Sequence, residues 1–126
     1  QRFAAYRSRA TGAWSFARPP AANKPVSDDP TVDAGEVQRQ LEVARLFIAR
    51  LPVNADCVIL TVVPTVKTRR VAAEALAAGL GMPLIAPDPE GLVTFDGSHL
   101  EPQSAVRFAR AFFAAAGPRL QRCLDS

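Results

Sequence analysis

Asp96 and His99 are the residues of this sequence whose types and spacing best suit proton-transfer chemistry. His99 is the only histidine among the 126 residues, and Asp96 precedes it by three positions. A loop of this span can fold back so that the carboxylate meets one imidazole nitrogen and leaves the other free to take a proton from a hydroxyl. Gly97 gives the backbone freedom for the bend. In this interpretation Asp96 fixes the imidazole tautomer, and His99 acts as general base and then as general acid.

The same segment could also be an ordinary turn, in which Asp96 caps the amide of Ser98 or His99. Its position favours the chemical interpretation. It follows the last predicted strand and directly precedes the last predicted helix. That is the carboxyl-end side, where α/β sheets place their sites.

The elements that must position this pair begin with a helix. Asp33 followed by Glu36 resembles a capping box, and apolar residues then repeat at helical spacing to about Leu51. Residues 57–63 are rich in β-branched side chains, which is typical of a strand buried on both faces of a parallel sheet.

A second helix is predicted from about Lys67, with Gly79 and Gly81 as its stop. Residues 82–86 form the next predicted strand and lead into a loop. The last helix is predicted to begin at Pro102 and to end at Gly117–Pro118. The side chains expected on the buried faces of these two helices are Val71, Ala75, Leu76 and Ala78, then Ala105, Val106, Ala109, Phe112, Phe113 and Ala116.

This order of elements predicts an α/β fold with right-handed crossovers between parallel strands. Two strands are too few for a parallel sheet covered on both faces. We therefore expect the C-terminal half of a doubly wound domain, whose first half lies on another chain or was removed; alternatively, residues 1–32 supply unusual strands. The predicted organisation is an irregular basic, Pro-containing arm over 1–32, the α/β portion over 33–120 and a tail over 121–126.

Residues 94–105 resemble the last motif of the SGNH (GDSL-type) hydrolases, in which Asp-x-x-His precedes an apolar residue and a helix opened near a proline; here these are Leu100 and Pro102. The resemblance implies a flavodoxin-like three-layer α/β/α sandwich with a parallel sheet, and it extends over about residues 33–120. It also implies that Asp96 and His99 belong to the triad of a serine esterase or acyltransferase. The implied substrate is an acyl ester, with O-acyl groups on carbohydrate as one candidate, and no cofactor or metal is expected.

The family's nucleophile and oxyanion hole are missing from this sequence. In the family, the nucleophile lies in a Gly-Asp-Ser motif after the first strand, and a Gly and an Asn from later loops complete the oxyanion hole. No serine here stands in such a motif, and neither Asn23 nor Asn54 follows a glycine. We therefore predict that this chain alone is inactive and that an upstream portion of the same protein, or another chain, supplies the serine.

Two cationic groups could bind other ligands. Lys67, Arg69 and Arg70 at a helix N-terminus could attract an anionic substrate group, although such clusters are more often solvated surface. The first 27 residues carry five cationic and no acidic side chains, whereas the remaining residues carry ten cationic and twelve acidic side chains. With Trp14 interleaved, this arm could bind a nucleic acid or another polyanion, but nothing in the body of the chain supports that function. Trp14 could instead line an acyl or sugar site, or cover apolar surface.

The remaining signals limit the class of protein. No apolar run is long enough to span a membrane. Cys57 and Cys123 have no metal-ligand spacing, and whether they pair cannot be inferred. The compartment stays open, with an extracytoplasmic one slightly favoured. The alternative to the hydrolase is a non-catalytic α/β module, descended from such an enzyme and used for binding or assembly.

Overall fold

The computed structural model describes residues 5–12, 14–16 and 24–125, and these residues form a mixed α/β structure. The helices are α1 (Ala34–Ile48), α2 (Arg70–Leu80) and α3 (Pro102–Leu124), with one 3₁₀ turn at Ala55–Cys57. The strands are β1 (Ala5–Arg7), β2 (Trp14–Phe16), β3 (Lys24–Pro25) and β4 (Val93–Thr94). β1 pairs with β2 and β3 pairs with β4, both antiparallel. No described helix has the length and hydropathy that crossing a membrane requires.

The two predicted parallel strands run side by side but form only one bridge, between Leu60 and Leu84. The Leu60 amide donates to the Pro83 carbonyl at 3.0 Å, and the Ile85 amide donates to the Leu60 carbonyl at 2.9 Å. A multistranded parallel sheet is not present in the described part of the chain. The structure thus confirms the coarser α/β class, and the three-layer sandwich remains a prediction.

The prediction that residues 57–63 are buried on both faces is wrong for this structure. Thr61 and Val63 are exposed, Val63 to 48%, and residues 57–60 are half-buried. A central strand is covered only where strands flank it and helices lie on both faces. Among the described residues, the backbone of this strand bonds to residues 83–85 at Leu60 and, at its start, to the carbonyls of Asn54 and Ala55 in the adjoining 3₁₀ turn.

The first 32 residues are less irregular than predicted, because they include three short strands. Lys24 in β3 lies opposite Thr94 in β4. Beyond β3 the chain runs parallel to the segment that precedes α2: the Ser27 amide donates to the Thr65 carbonyl at 3.0 Å, and the Thr68 amide donates to the Ser27 carbonyl at 2.8 Å. The prolines within residues 1–32 favour an irregular structure in the sequence analysis, because each proline lacks one backbone hydrogen-bond donor.

α1 and α2 form a small core. α1 begins as predicted, with the Asp33 carboxylate accepting the Glu36 amide at 3.0 Å. Gly79 lies inside α2 rather than ending it. Its missing side chain lets α2 approach α1 closely, because a Cβ there would lie 2.7 Å from Leu41 Cδ2. Gly81, with φ at 64°, ends the helix as predicted. The core side chains are Val37, Leu41 and Ala72, with Ala75, Leu76 and Leu80 against them, whereas the predicted Val71 and Ala78 are exposed.

α3 begins at Pro102 as predicted, but it continues through Pro118 to Leu124. A disulfide between Cys123 and Cys57, with Cα atoms 5.7 Å apart, fastens its last turn to the 3₁₀ turn. This tether supports the helix beyond the proline, which removes one backbone donor. The buried stripe of α3 is Ser104, Phe108 and Ala116; of the predicted set, Ala105, Val106 and Phe113 are exposed, and Ala109 and Phe112 are half-buried.

Several large apolar side chains of the described residues are exposed. They are Val43, Leu46 and Phe47 on α1, and Val106, Phe113 and Leu124 on α3. The three on α1 follow one another at helical spacing, and contiguous exposed apolar patches mark surfaces that bind another molecule.

Candidate functional site

Asp96 and His99 are in direct contact, as the sequence predicts. Asp96 Oδ2 lies 2.7 Å from His99 Nδ1. The other carboxylate oxygen, Oδ1, accepts the backbone amides of Ser98 and His99, each at 2.8 Å. The contacts of the turn interpretation are therefore present, and so is the contact that the chemical interpretation requires, since one oxygen closes the turn and the other meets the imidazole. We call residues 96–99 the dyad loop.

A fully buried threonine fastens the dyad loop to the strands beneath it. Thr94 Oγ1 donates to the Lys24 carbonyl at 3.0 Å and accepts the Gly97 amide at 3.1 Å. The loop closes as the Phe95 amide donates to the His99 carbonyl at 3.0 Å. The sequence analysis missed Thr94, whose only signal is the weak tendency of Ser and Thr hydroxyls to bond nearby backbone amides in turns.

The dyad loop also contacts the segment that follows residues 57–63. The Gly97 carbonyl accepts the Val66 amide at 3.1 Å. Gly97 has φ at 95°, a conformation that favours glycine, and a Cβ there would meet Val66 Cγ2 at 3.5 Å. The dyad loop thus lies at the carboxyl end of this strand segment, which is the position the sequence predicts.

The imidazole is held on one side and open on the other. Its ring stacks on the buried Phe95, with centroids 5.7 Å apart and an interplanar angle of 18°. The His99 side chain is nevertheless 70% exposed, against 32% for Asp96. Since Nδ1 faces the carboxylate, Nε2 lies across the ring from it and is accessible to another group.

The charge of Asp96 determines the tautomer of His99. Partial burial acts to raise the pKa of Asp96, but the Ser98 amide, the imidazole and the His99 amide together hold that pKa below the ordinary value of 3.8. The carboxylate is therefore ionised at neutral pH and can only accept hydrogen bonds. The neutral imidazole consequently carries its proton on Nδ1, which leaves the Nε2 lone pair available as a base.

This lowered pKa predicts a dependence of stability on acid. A depressed pKa in the folded state stabilises the fold above the unfolded value of 3.8, and the contribution is lost as the pH falls through the folded pKa. We expect Asp96→Asn to lose less stability than the wild type between about pH 5 and about pH 2.5 in thermal melts. Identical losses in both proteins would show that Asp96 is not stabilised as a carboxylate.

Thr94→Val is expected to loosen the dyad loop. Valine keeps the shape of the side chain but leaves the Lys24 carbonyl and the Gly97 amide without their partner, at a cost of about 1–3 kcal/mol. Urea unfolding measures this cost, and NMR of His99, the only histidine, follows the ring without overlap.

Thr94→Ser is the matched control, because it retains the hydroxyl. A valine variant that behaves like the serine variant in both measurements would show that the hydroxyl does not fasten the loop.

Two of the three cations proposed to attract an anion are engaged elsewhere. Arg69 donates to both carboxylate oxygens of Glu36, at 2.7 and 2.8 Å. Arg70 pairs with Asp28 at 3.2 Å and donates to the Ala86 carbonyl at 2.6 Å. These contacts tie α2 to its neighbours, so a structural role accounts for both arginines. Lys67 is exposed and has no ion pair in the described structure.

The pair with Arg69 also replaces half of the predicted capping box. Asp33 caps the Glu36 amide, but the Glu36 carboxylate turns to Arg69. The hydrogen bond from that guanidinium lowers the pKa of Glu36.

The proposed substrate contact of Trp14 lies outside what the structure describes. The backbone of Trp14 pairs with that of Arg7 between β2 and β1, but its side chain is not among the described ones.

Within the described residues, no hydroxyl or thiol is hydrogen-bonded to His99. Ser104 is fully buried, and its Oγ accepts the Val93 amide at 3.0 Å. Ser27 Oγ donates to the Val66 carbonyl. Both cysteines are in the disulfide. The described part of the chain thus holds an acid and a base without a paired nucleophile.

A metal site is not found in the described ranges, which contain no group of three or more suitable ligands. Comparisons of the chain with models of protein families, with curated proteins and with solved structures found no match.

Proposed function

We propose that this chain is the C-terminal part of an SGNH-like serine esterase or acyltransferase, with Asp96 and His99 as two members of its triad. The observation that carries the proposal is the 2.7 Å contact between Asp96 Oδ2 and His99 Nδ1 on a ring whose far side is exposed. An ionised carboxylate at Nδ1 favours the tautomer that can accept a proton at Nε2. The serine and the oxyanion hole come from an upstream portion of the same protein or from another chain.

In the proposed reaction, a serine hydroxyl of the complementing portion attacks the carbonyl carbon of an acyl ester. His99 Nε2 takes the hydroxyl proton as the carbon–oxygen bond forms, and Asp96 stabilises the resulting imidazolium. The imidazolium then gives this proton to the leaving alcohol, which yields an acyl-serine. Water or a second alcohol attacks the acyl-serine, and His99 again takes and returns one proton. An acylated carbohydrate is a candidate ester.

The surface of the chain supports an incomplete domain. Exposed apolar side chains on α1 and α3, and parallel pairing limited to isolated bridges at Leu60 and Thr68 in the described residues, are what half of a flavodoxin-like three-layer sandwich would present. The Cys57–Cys123 disulfide favours an oxidising, extracytoplasmic compartment, because such bonds persist there and are rare in reducing ones.

The test uses the natural protein purified from its source beside the 126-residue chain alone. We expect the natural protein to hydrolyse a chromogenic acetyl ester and to react covalently with a fluorophosphonate, whereas the isolated chain does neither. Labelling that maps to a serine outside this chain would identify the complementing portion. A natural protein that shows neither turnover nor labelling would contradict the proposal.

That negative outcome would favour the second candidate, a non-catalytic α/β module for binding or assembly. The observation behind it is that no described hydroxyl is hydrogen-bonded to His99. In that case Asp96 and His99 would serve only to close the turn before α3.

A further inference from the structure

The side of α1 that faces away from α2 carries a second apolar stripe. Val37 and Leu41 pack against α2. At about 3.6 residues per turn, Val43, Leu46 and Phe47 lie roughly 100–160° around the helix from that pair. Their exposed fractions are 68%, 65% and 64%. A helix that buries one face needs only one apolar stripe, so this second one, which we call the outer stripe, indicates a partner.

A hollow lies beside the outer stripe, towards the start of α1. Its volume is about 430 Å³, and its lining consists of Glu36, Arg39, Gln40, Val43, Ala44 and Phe47. The first four of these stand at positions i, i+3, i+4 and i+7 of the helix. Four residues in that arrangement form the hole that receives one side chain of a facing helix. The shape of the hollow therefore favours a helix as the partner.

The outer stripe and its charged neighbours complement themselves when a second copy of α1 runs antiparallel across Val43. A two-fold axis at Val43 brings residues at equal distances before and after it opposite each other. Glu36 and Arg50 are each seven residues away, so they form an opposite-charge pair at both ends. Arg39 and Phe47 are each four residues away, which permits a cation–π contact. The hollow then faces Leu46 and Phe47 of the second copy.

The two charged groups at the ends are able to form this pair. Arg50 is exposed and has no ion pair in the described part of the chain. Its amide donates to the Phe47 carbonyl at 3.0 Å, so the helical turn continues to this residue. Glu36 Oε1 accepts both Arg69 and Gln40, whereas Oε2 accepts only Arg69 among the described residues. A carboxylate oxygen accepts two hydrogen bonds, so Oε2 retains one position for a second copy's Arg50.

We propose that two copies of this chain associate through an antiparallel pair of α1 helices, with the outer stripe at the centre and Glu36 opposite Arg50 at both ends. A shift of one helical turn in either direction would separate Arg50 from Glu36. A contact made by one helix of each copy is at the low end of interface sizes, so the dimer is expected to dissociate on dilution. This inference does not depend on the proposed hydrolysis.

Sedimentation equilibrium of the 126-residue chain, from micromolar to millimolar concentration, tests the association. Val43→Glu brings two carboxylates together on the two-fold axis and is expected to weaken the dimer at least about 100-fold. Gln38→Glu is the matched control, because it adds the same charge at an exposed position of α1 away from the outer stripe. We expect the control to stay within about threefold of the wild type. Thermal melts report whether each variant is folded.

Arg50→Glu tests the orientation of the two helices. In the antiparallel pair the new carboxylate faces Glu36, so the dimer is expected to weaken at least about tenfold. In a parallel pair, position 50 would face itself, and one like-charge contact would replace another without weakening the dimer. The substitution also lowers the net charge of the chain from its value of +3, so general repulsion would not explain a weaker dimer. An unchanged or tighter dimer would contradict the antiparallel pairing.

The natural protein provides a second measurement, by light scattering. We expect it to contain two copies of this chain and the Val43→Glu protein to contain one. Three results would overturn the inference. One is a folded chain that stays monomeric at millimolar concentration, and another is a dimer that Val43→Glu and Gln38→Glu weaken equally. The third is a natural protein with a single copy at concentrations where the isolated chain dimerises, because another portion of the protein would then cover the outer stripe.

Discussion

His99→Ala is expected to lower kcat for a chromogenic acetyl ester by about 10⁴-fold or more in the natural protein, because the attacking serine would lose its base. Asp96→Asn is expected to cost about 10³–10⁴-fold. The asparagine oxygen can still accept the amides of Ser98 and His99, so the turn persists. Its NH₂ group would instead face Nδ1 and favour the tautomer with the proton on Nε2, which cannot act as a base.

Ser98→Ala is the matched control for these two variants. Ser98 lies between Asp96 and His99 in sequence, its side chain is exposed, and its contact with Asp96 is made by the backbone amide. We expect this variant to keep wild-type turnover. Full turnover by His99→Ala or Asp96→Asn would remove that residue from the mechanism, whereas an equal loss in Ser98→Ala would indicate that the loop matters only for its shape.

The double variant Cys57→Ala/Cys123→Ala is expected to lose about 4 kcal/mol of unfolding free energy, because the disulfide closes a loop with a sequence separation of 66 residues. Domains are stable by about 5–15 kcal/mol in total, so the variant would be marginal. Urea unfolding at equilibrium measures the difference. α3 is expected to lose helix beyond Pro118 first, since the disulfide fastens that last turn.

A reducing agent provides the internal control. It should lower the stability of the wild type to that of the double variant and should leave the double variant unchanged. If the oxidised wild type and the double variant unfold at the same urea concentration, the disulfide does not stabilise the fold. The dyad loop lies before the opposite end of α3, so its hydrogen bonds are expected to survive reduction while the chain stays folded.

Features encoded by neighbouring residues were predictable from the sequence. The start of α1 follows from the carboxylate of Asp33, and the start of α3 follows from Pro102. The contact of Asp96 with His99 was predictable because three residues separate them and Gly97 allows the bend. In these cases the interacting groups lie within one turn of each other, so local geometry determines the outcome.

Features that depend on distant residues were not predictable. The partners of Arg69 and Arg70 are Glu36 and Asp28, which lie 33 and 42 residues away. Because the sequence does not reveal pairs at such separations, both arginines had looked available to bind an anion. The end of α3 was misplaced at Pro118, since the sequence does not reveal that Cys123 is bonded to a distant cysteine. The buried face of α3 differs from the predicted one for a related reason. α3 carries more apolar side chains than the other described residues cover, so Val106 and Phe113 are exposed while Ser104 and Phe108 are buried.

The disulfide also makes residues 57–123 one closed covalent ring, and the whole dyad loop lies within it. A protease that cuts once inside this ring leaves both products joined, so Asp96 and His99 stay attached to α2 and α3. A cut before Cys57 separates α1 and the preceding strands from the ring. A sample cut once and kept unreduced would therefore migrate at its original mass only if the cut lay inside the ring. The mass under non-reducing conditions thus shows whether the site accessible to the protease lies within residues 57–123 or before them.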